Sequence, residues 1–140
     1  MKREKSAGFL IFRRQGDDIK YLFLINKGKY DIPKGLQMPE EDELKTALRE
    51  LEEETGIKDV KIIPFFRKKA EYHYKWAGES IKKEVVYFLG EIDRENIIIS
   101  EEHDGYIWMN KDEALSKLKY ENLKDLVISA EKFIRGMKNE

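Results

Sequence analysis

The stretch from Glu41 to Gly56 constrains this chain more than any other. Leu44, Ala47, Leu48 and Leu51 recur at helical spacing after Pro39, and Glu41, Asp42 and Glu43 suit the positive end of a helix dipole. These features predict a helix from about Glu41 to Thr55, closed by Gly56. At 100° per residue, Glu50, Glu53 and Glu54 fall within an arc of roughly 100° beside that apolar stripe. The helix must therefore pack by one face and present carboxylates on the next. Local energetics oppose this: like charges such as Glu50 and Glu54, four residues apart, cost about 0.2–0.5 kcal/mol, and Glu52, Glu53 and Glu54 crowd the negative end of the dipole. A hard divalent cation such as Mg²⁺ or Mn²⁺ reverses the sign, because it needs converging carboxylate oxygens. The competing reading is a solvated acidic face.

The rest of the chain reads as one mixed domain over residues 1–140, with no internal repeat, low-complexity tract or Pro/Gly-rich linker. Ser6 to Arg13 and Ile19 to Asn26 are apolar runs joined by Gln15-Gly16-Asp17-Asp18, which has hairpin-turn chemistry. Val60 to Phe66 and Glu84 to Ile92 are further strand candidates, the second with Val85, Tyr87 and Leu89 on one face and Gly78 in its connection. Tyr106 to Met109 is a short one. Ala114, Leu115 and Leu118, then Leu123, Leu126, Val127, Ala130, Phe133 and Ile134, mark a short and a longer helix. Strands arriving as hairpins, with helices between and after them, predict a mixed sheet covered by helices in an α/β fold.

Composition narrows the function. With no cysteine, disulfides, thiolate zinc sites and cysteine nucleophiles are excluded. The apolar stretch after the charged start spans only about Ala7 to Phe12, too short for a signal peptide or membrane span, so a cytoplasmic protein without membrane attachment is expected. Lysine plus arginine number 27 against 28 aspartate plus glutamate, so no global field draws nucleic acid, and a polyanion must be gripped locally. The charged fraction of 39% is above the average for globular domains, a composition associated with thermophiles.

Spacing around the glutamates separates the two readings of the helix. Gly35 is followed after five residues by Glu41, and after seven more by Arg49-Glu50-Leu51-Glu52-Glu53-Glu54-Thr55-Gly56-Ile57. This stretch resembles the Nudix signature at every fixed position. The resemblance implies a catalytic loop-helix-loop in an α/β/α sandwich with C-terminal helices. It implies Glu50, Glu53 and Glu54 as ligands of Mg²⁺ or Mn²⁺, the Gly35 carbonyl as a further ligand, Arg49 orienting the glutamates, and Glu41 in support. The reaction it implies is attack by metal-bound water on phosphorus of a nucleoside diphosphate linked to some further group.

Outside the signature, Ser6-Ala7-Gly8 with Ile11-Phe12-Arg13, Ile32-Pro33-Lys34-Gly35, and Ser100-Glu101-Glu102-His103 with Trp108 resemble asymmetrical diadenosine tetraphosphate hydrolases, as does the segment from Trp108 to Phe133. That resemblance implies a small nucleotide substrate, split to ATP and AMP. It makes Glu102 a second-loop carboxylate, as metal ligand or general base. Lys34 and Lys83 become candidate phosphate contacts, and Tyr72 and Tyr120 candidate stacking partners for adenine. For Tyr72, beside Tyr74 and Trp76, sheet packing is an equal alternative. His103 is a candidate for binding phosphate or orienting Glu102. Asp31 departs from the subfamily, where an aromatic is common before the isoleucine, and bears on how the base is held. The alternative is another Nudix pyrophosphohydrolase acting on a nucleoside triphosphate, a nucleotide sugar or an RNA 5′ end. RNA-end relatives usually carry Pro-Gln-Gly-Gly where this chain has Pro33-Lys34-Gly35-Leu36. A silent, nucleotide-sensing fold typically lacks signature glutamates, and none is missing here.

Overall fold

The computed structural model describes residues 1–137. The run from Ser6 to Phe12 is buried without interruption because its strand, β1 (Lys2–Gln15), lies at the centre of the sheet with both faces covered. It turns at Gly16-Asp17 into β2 (Asp18–Asn26), with Gln15 opposite Asp18. Three-residue strands β3 (Lys29–Asp31) and β4 (Lys34–Leu36) follow, then α1 (Glu43–Thr55), β5 (Lys61–Ile62), β6 (Lys68–Trp76), β7 (Glu79–Glu91), β8 (Gly105–Met109), α2 (Lys111–Lys117) and α3 (Glu121–Gly136). The sheet order is β3-β2-β1-β7-β5, with β4 on β1, β6 on β7 and β8 on β2. β1 and β7 run parallel over eleven paired positions and the other pairings are antiparallel, so the sheet is mixed.

Alternation along β1 divides the core. Ala7, Phe9 and Ile11 face α1 through Ala47 and Leu51, while Leu10 and Phe12 join Val85, Tyr87 and Leu89 under α3, which contributes Leu123, Leu126, Val127 and Ala130. The result is an α/β/α sandwich. At about 1.5–3 kcal/mol per fully buried large apolar side chain, these two clusters supply the main drive for folding.

Two expectations need correction, and one strand was not expected. The Val60 to Phe66 run is a strand only at Lys61–Ile62. Pro64 brings no N–H to a ladder and Phe65 adopts a left-handed φ of 70°, so the chain turns out of the sheet. The helix starts at Glu43 and not at Glu41, because Asp42 is extended and its side chain accepts the Lys45 N–H as N-cap. Strand β6 carries no simple apolar alternation, since it lies along an edge of the sheet and most of its side chains are exposed.

Candidate active site

Two close backbone approaches bring the residues of the Gly35 to Gly56 stretch together. Strand β4 pairs with β1 so that Gly35 lies opposite Ala7 and Lys34 opposite Gly8. A Cβ on Gly8 would strike the Pro33 carbonyl and the Lys34 side chain, and one on Gly35 would strike the Glu50 carboxylate. Glycine at both positions lets the loop press against β1 on one side and α1 on the other. The helix is stopped close by at Gly56, whose φ of 71° suits a residue without Cβ and whose N–H reaches the Glu52 carbonyl.

Glu54 is the buried member of the acidic arc, 9% exposed. Its Oε2 accepts the Lys34 backbone N–H at 3.1 Å, and its Oε1 lies 3.0 Å from His103 Nε2. Burial, and after it the hydrogen-bonded Glu50 carboxyl, raises its pKa to about 8, against a lowering pull from Lys34. Glu50 and Glu54 thus form two facing carboxyl groups beside a glycine. Arg49 holds the rest of the arc. Its Nε and Nη2 grip Glu41 at 2.7 and 3.0 Å, Nη1 reaches Glu50 at 3.0 Å and Glu53 at 3.4 Å, and Nη2 also donates to the Leu36 carbonyl at 3.0 Å. The Arg49 hydrogen bonds hold the Glu41 carboxyl far down, at about 2. Glu41 in turn accepts from the Met38 N–H and the Thr46 hydroxyl, tying the loop to the first turn of α1.

The donor set fits a hydrated hard cation. Among the described residues, no three acidic or histidine side chains converge into a preformed cage, and the Glu53 side chain is 57% exposed. Mg²⁺, however, usually keeps several waters and takes only one or two carboxylates plus substrate phosphate. Glu50 and Glu54 provide such a pair, and their mutual repulsion is what a cation would relieve.

The loop after β7 docks on the same corner: the Ser100 N–H donates to the Glu54 carbonyl at 3.0 Å. His103, not Glu102, reaches the cluster from it. Glu102 is exposed beside it, so His103 orients Glu54 and not Glu102 as its sequence neighbour suggested. His103 Nδ1 and Ser100 Oγ are buried without a partner among the described residues, two polar atoms still able to bond a bound water or ligand.

Beside this corner lies a cleft of about 450 Å³ lined by Asp31, Lys34, Tyr72, Tyr87, Tyr120 and the first turn of α3. It brings together three of the predicted substrate contacts, Lys34, Tyr72 and Tyr120. The Lys34 ammonium is 3.0 Å from Asp31 Oδ2. Burial alone would lower its pKa, but Asp31 outweighs that and the net shift is upward. Lys83 stands opposite Tyr72 on β7, half-buried, its pKa lowered by burial and then by Lys34. Asp31, which the sequence marked as bearing on how the base is held, lines the cleft, and Tyr87 is a lining residue that the sequence did not single out as a contact. Tyr87 was visible only as one of an alternating trio with Val85 and Leu89.

Comparison with known proteins decides the family: residues 2–134 match the model of the NUDIX domain. The chain belongs to the Nudix hydrolase family. It is 32% identical over 141 residues to the asymmetrical bis(5′-nucleosyl)-tetraphosphatase of Rattus norvegicus, covering 93% of this chain and 95% of that one. It is 31% identical over 138 residues to the mRNA-decapping protein g5R of African swine fever virus, covering 84% of this chain and 54% of that longer protein. Among solved structures, an Ap4A hydrolase of C. elegans in a binary complex superposes with a TM-score of 0.84 at 26% identity, over 96% of this chain and 99% of that one. This Nudix hydrolase is thus homologous to asymmetrical tetraphosphatases over nearly its whole length, and no helix among its described residues is long and apolar enough to cross a membrane.

Proposed function

We propose that this Nudix hydrolase splits diadenosine tetraphosphate asymmetrically into ATP and AMP, with Mg²⁺ or Mn²⁺ held by Glu50, Glu53 and Glu54 and by the Gly35 carbonyl. The observation that carries the reading is the position of the tyrosine-lined cleft: it opens beside Lys34, whose backbone N–H is bonded to Glu54. A nucleoside in that cleft has its phosphates beside the carboxyl cluster.

The chain's own residues then divide the work. Tyr72 and Tyr120 stack on adenine, a contact worth about 1–3 kcal/mol per base. Lys34 exchanges Asp31 for a phosphate oxygen, and Lys83, opposite Tyr72 on β7, adds a second cation nearby. Arg49 fixes the directions of Glu50 and Glu53, and His103 fixes that of Glu54. A divalent cation, when bound, neutralises phosphate charge and raises the nucleophilicity of water. A water oxygen bonds to phosphorus, the bridging P–O bond breaks, and its electron pair leaves with the departing nucleotide. Glu102, exposed next to His103 in the same loop, supplies a further ligand or the base that takes the proton from that water.

A substrate panel tests this reading. With Mg²⁺, kcat/KM for diadenosine tetraphosphate is expected to exceed that for ATP, ADP-ribose and 5′-triphosphorylated RNA. A higher value for any of these three would replace the substrate and leave the Nudix chemistry in place.

A further inference from the structure

Asp31 holds the cleft's lysine only until a phosphate arrives, and what the carboxylate does afterwards depends on the ligand. It closes β3, paired with Leu24, and the next residue, Ile32, is buried in the core, so the backbone that carries the carboxylate is fixed. Oδ1 accepts the Ile32 N–H at 2.8 Å, which ties the side chain to that backbone, and Oδ2 receives the Lys34 ammonium at 3.0 Å. Among the described residues nothing else donates to this carboxylate. Its charge reaches the aromatic lining of the cleft: burial, and after it Asp31, raises the pKa of the Tyr87 hydroxyl.

Phosphate binding upsets this balance. When Lys34 turns to a phosphate oxygen, Oδ2 loses its cation while a second anion settles nearby. A half-buried carboxylate oxygen without a donor costs about 1–3 kcal/mol or more, so other donors must replace the ammonium. A nucleoside that fills the cleft displaces water from the carboxylate, which leaves the nucleoside's own donors. Adenosine carries them in two places, the amino group of the base and the hydroxyls of the ribose. The side chain of Asp31 lies against Lys34, at the phosphate end of the cleft. The amino group is at the far end of the nucleoside from the 5′ phosphate, whereas the ribose is joined to that phosphate directly. Its 2′ and 3′ hydroxyls are two O–H donors on adjacent carbons. An ionised carboxylate has about four lone-pair sites, of which the Ile32 N–H takes one, so both hydroxyls can be accepted. Such charge-assisted bonds are roughly twice as strong as neutral ones, and dinucleotide-binding folds use an acidic side chain on a ribose hydroxyl in the same way.

We propose that Asp31 is a specificity-determining residue that accepts hydrogen bonds from the ribose hydroxyls, which makes the substrate class ribonucleotides with a free 2′,3′-diol. It rests on the placement of a nucleoside in the cleft beside Lys34, and goes beyond that reading by giving the sugar its own contact. The two contacts are linked: the phosphate that takes Lys34 frees the acceptor that the ribose then fills.

The test is calorimetric titration of the full chain, with Mg²⁺ present, by AMP, 2′-deoxy-AMP and 3′-deoxy-AMP. The wild-type protein is expected to bind AMP about tenfold more tightly than at least one of the deoxy analogues. Asp31→Ala removes a negative charge beside Lys34, so its affinity for AMP should hold or rise while the preference over the deoxy analogue falls to about twofold or less. Asp31→Asn keeps an acceptor for the Ile32 N–H, which guards the fold, and should show a preference of about threefold, that of a neutral hydrogen bond. Loss of charge alone would shift all three ligands equally and leave the wild-type ratio in place. Equal affinity of the wild-type protein for the three ligands would overturn the proposal. So would a preference that survives in Asp31→Ala, or a failure of AMP to bind. None of these ligands has an anhydride bond, so the result stays separate from failure to cleave diadenosine tetraphosphate.

Discussion

Glu54→Gln sets the two demands on the acidic arc against each other. In the metal-free protein the Glu54 carboxyl has a pKa of about 8, against 4.5 for the ordinary group. Because the folded pKa is raised, the folded state binds the proton more tightly than the unfolded chain between those values, and stability falls as pH rises through that window. At pH 7 the unfolded chain has lost the proton and the folded protein still holds it, a difference of about 3 kcal/mol. Glutamine carries no charge, yet its amide oxygen can accept the Lys34 N–H and its NH₂ can donate to Glu50. The variant should therefore be more stable than wild type by about that amount at pH 7, a rise of about 10 °C in Tm for a domain of this size. The assay is paired thermal denaturation in a chelator from pH 5 to 8, where the difference between the two proteins should be small at pH 5 and widen steadily. Hydrolysis with Mg²⁺ should fall by orders of magnitude in the same variant. A variant no more stable than wild type at pH 7, or a difference that does not change with pH, would refute the argument that burial beside Glu50 strains this carboxyl.

Three further outcomes follow from the same corner of the molecule. Gly35→Ala drives a methyl into the Glu50 carboxylate, the movable end of a side chain, so denaturant unfolding should change little while hydrolysis falls sharply. Glu102→Gln should lower kcat at saturating Mg²⁺ far more than Glu101→Gln, both variants keeping the wild-type circular dichroism; equal, small effects would remove Glu102 from the reaction. Glu41 has its pKa lowered by Arg49, so its contribution is present above the ordinary carboxylate range and lost as pH falls toward 2. Arg49→Lys cannot keep the two-pronged grip on Glu41 and should blunt that acid-side loss, measured as the slope of Tm between pH 5 and 2.5.

Much of this was legible because it depends on local pattern. The hairpin of β1 and β2, helix α1 and the two C-terminal helices follow from periodicity and turn chemistry, each within reach of a few neighbouring residues. The run Val60 to Phe66 misled because β-prone residues form a strand only where a ladder accepts them, and Pro64 with the left-handed Phe65 ends the pairing. Strand β6 was hidden for the opposite reason: an edge strand with most side chains in water needs no apolar alternation. In the site, the spacing of Gly35, Glu41, Arg49, Glu50, Glu53 and Glu54 located the cluster. Which of the three glutamates is buried was not legible, since they lie on one arc and only the loop carrying Ser100 and His103, some 45 residues on, covers Glu54. The same long-range packing explains why His103 was paired with its neighbour Glu102 and not with Glu54. Tyr72 was open to two readings, and the cleft it shares with Tyr120 arises only when β6 and α3 meet.

The central claim is asymmetric attack of water on a dinucleoside tetraphosphate, and one measurement addresses it directly. Diadenosine tetraphosphate is hydrolysed with Mg²⁺ in ¹⁸O-labelled water, and the products are separated and weighed by mass spectrometry. The account predicts equal amounts of ATP and AMP, with the label in only one of the two. Two molecules of ADP as the main product, or label divided between ATP and AMP, would contradict it.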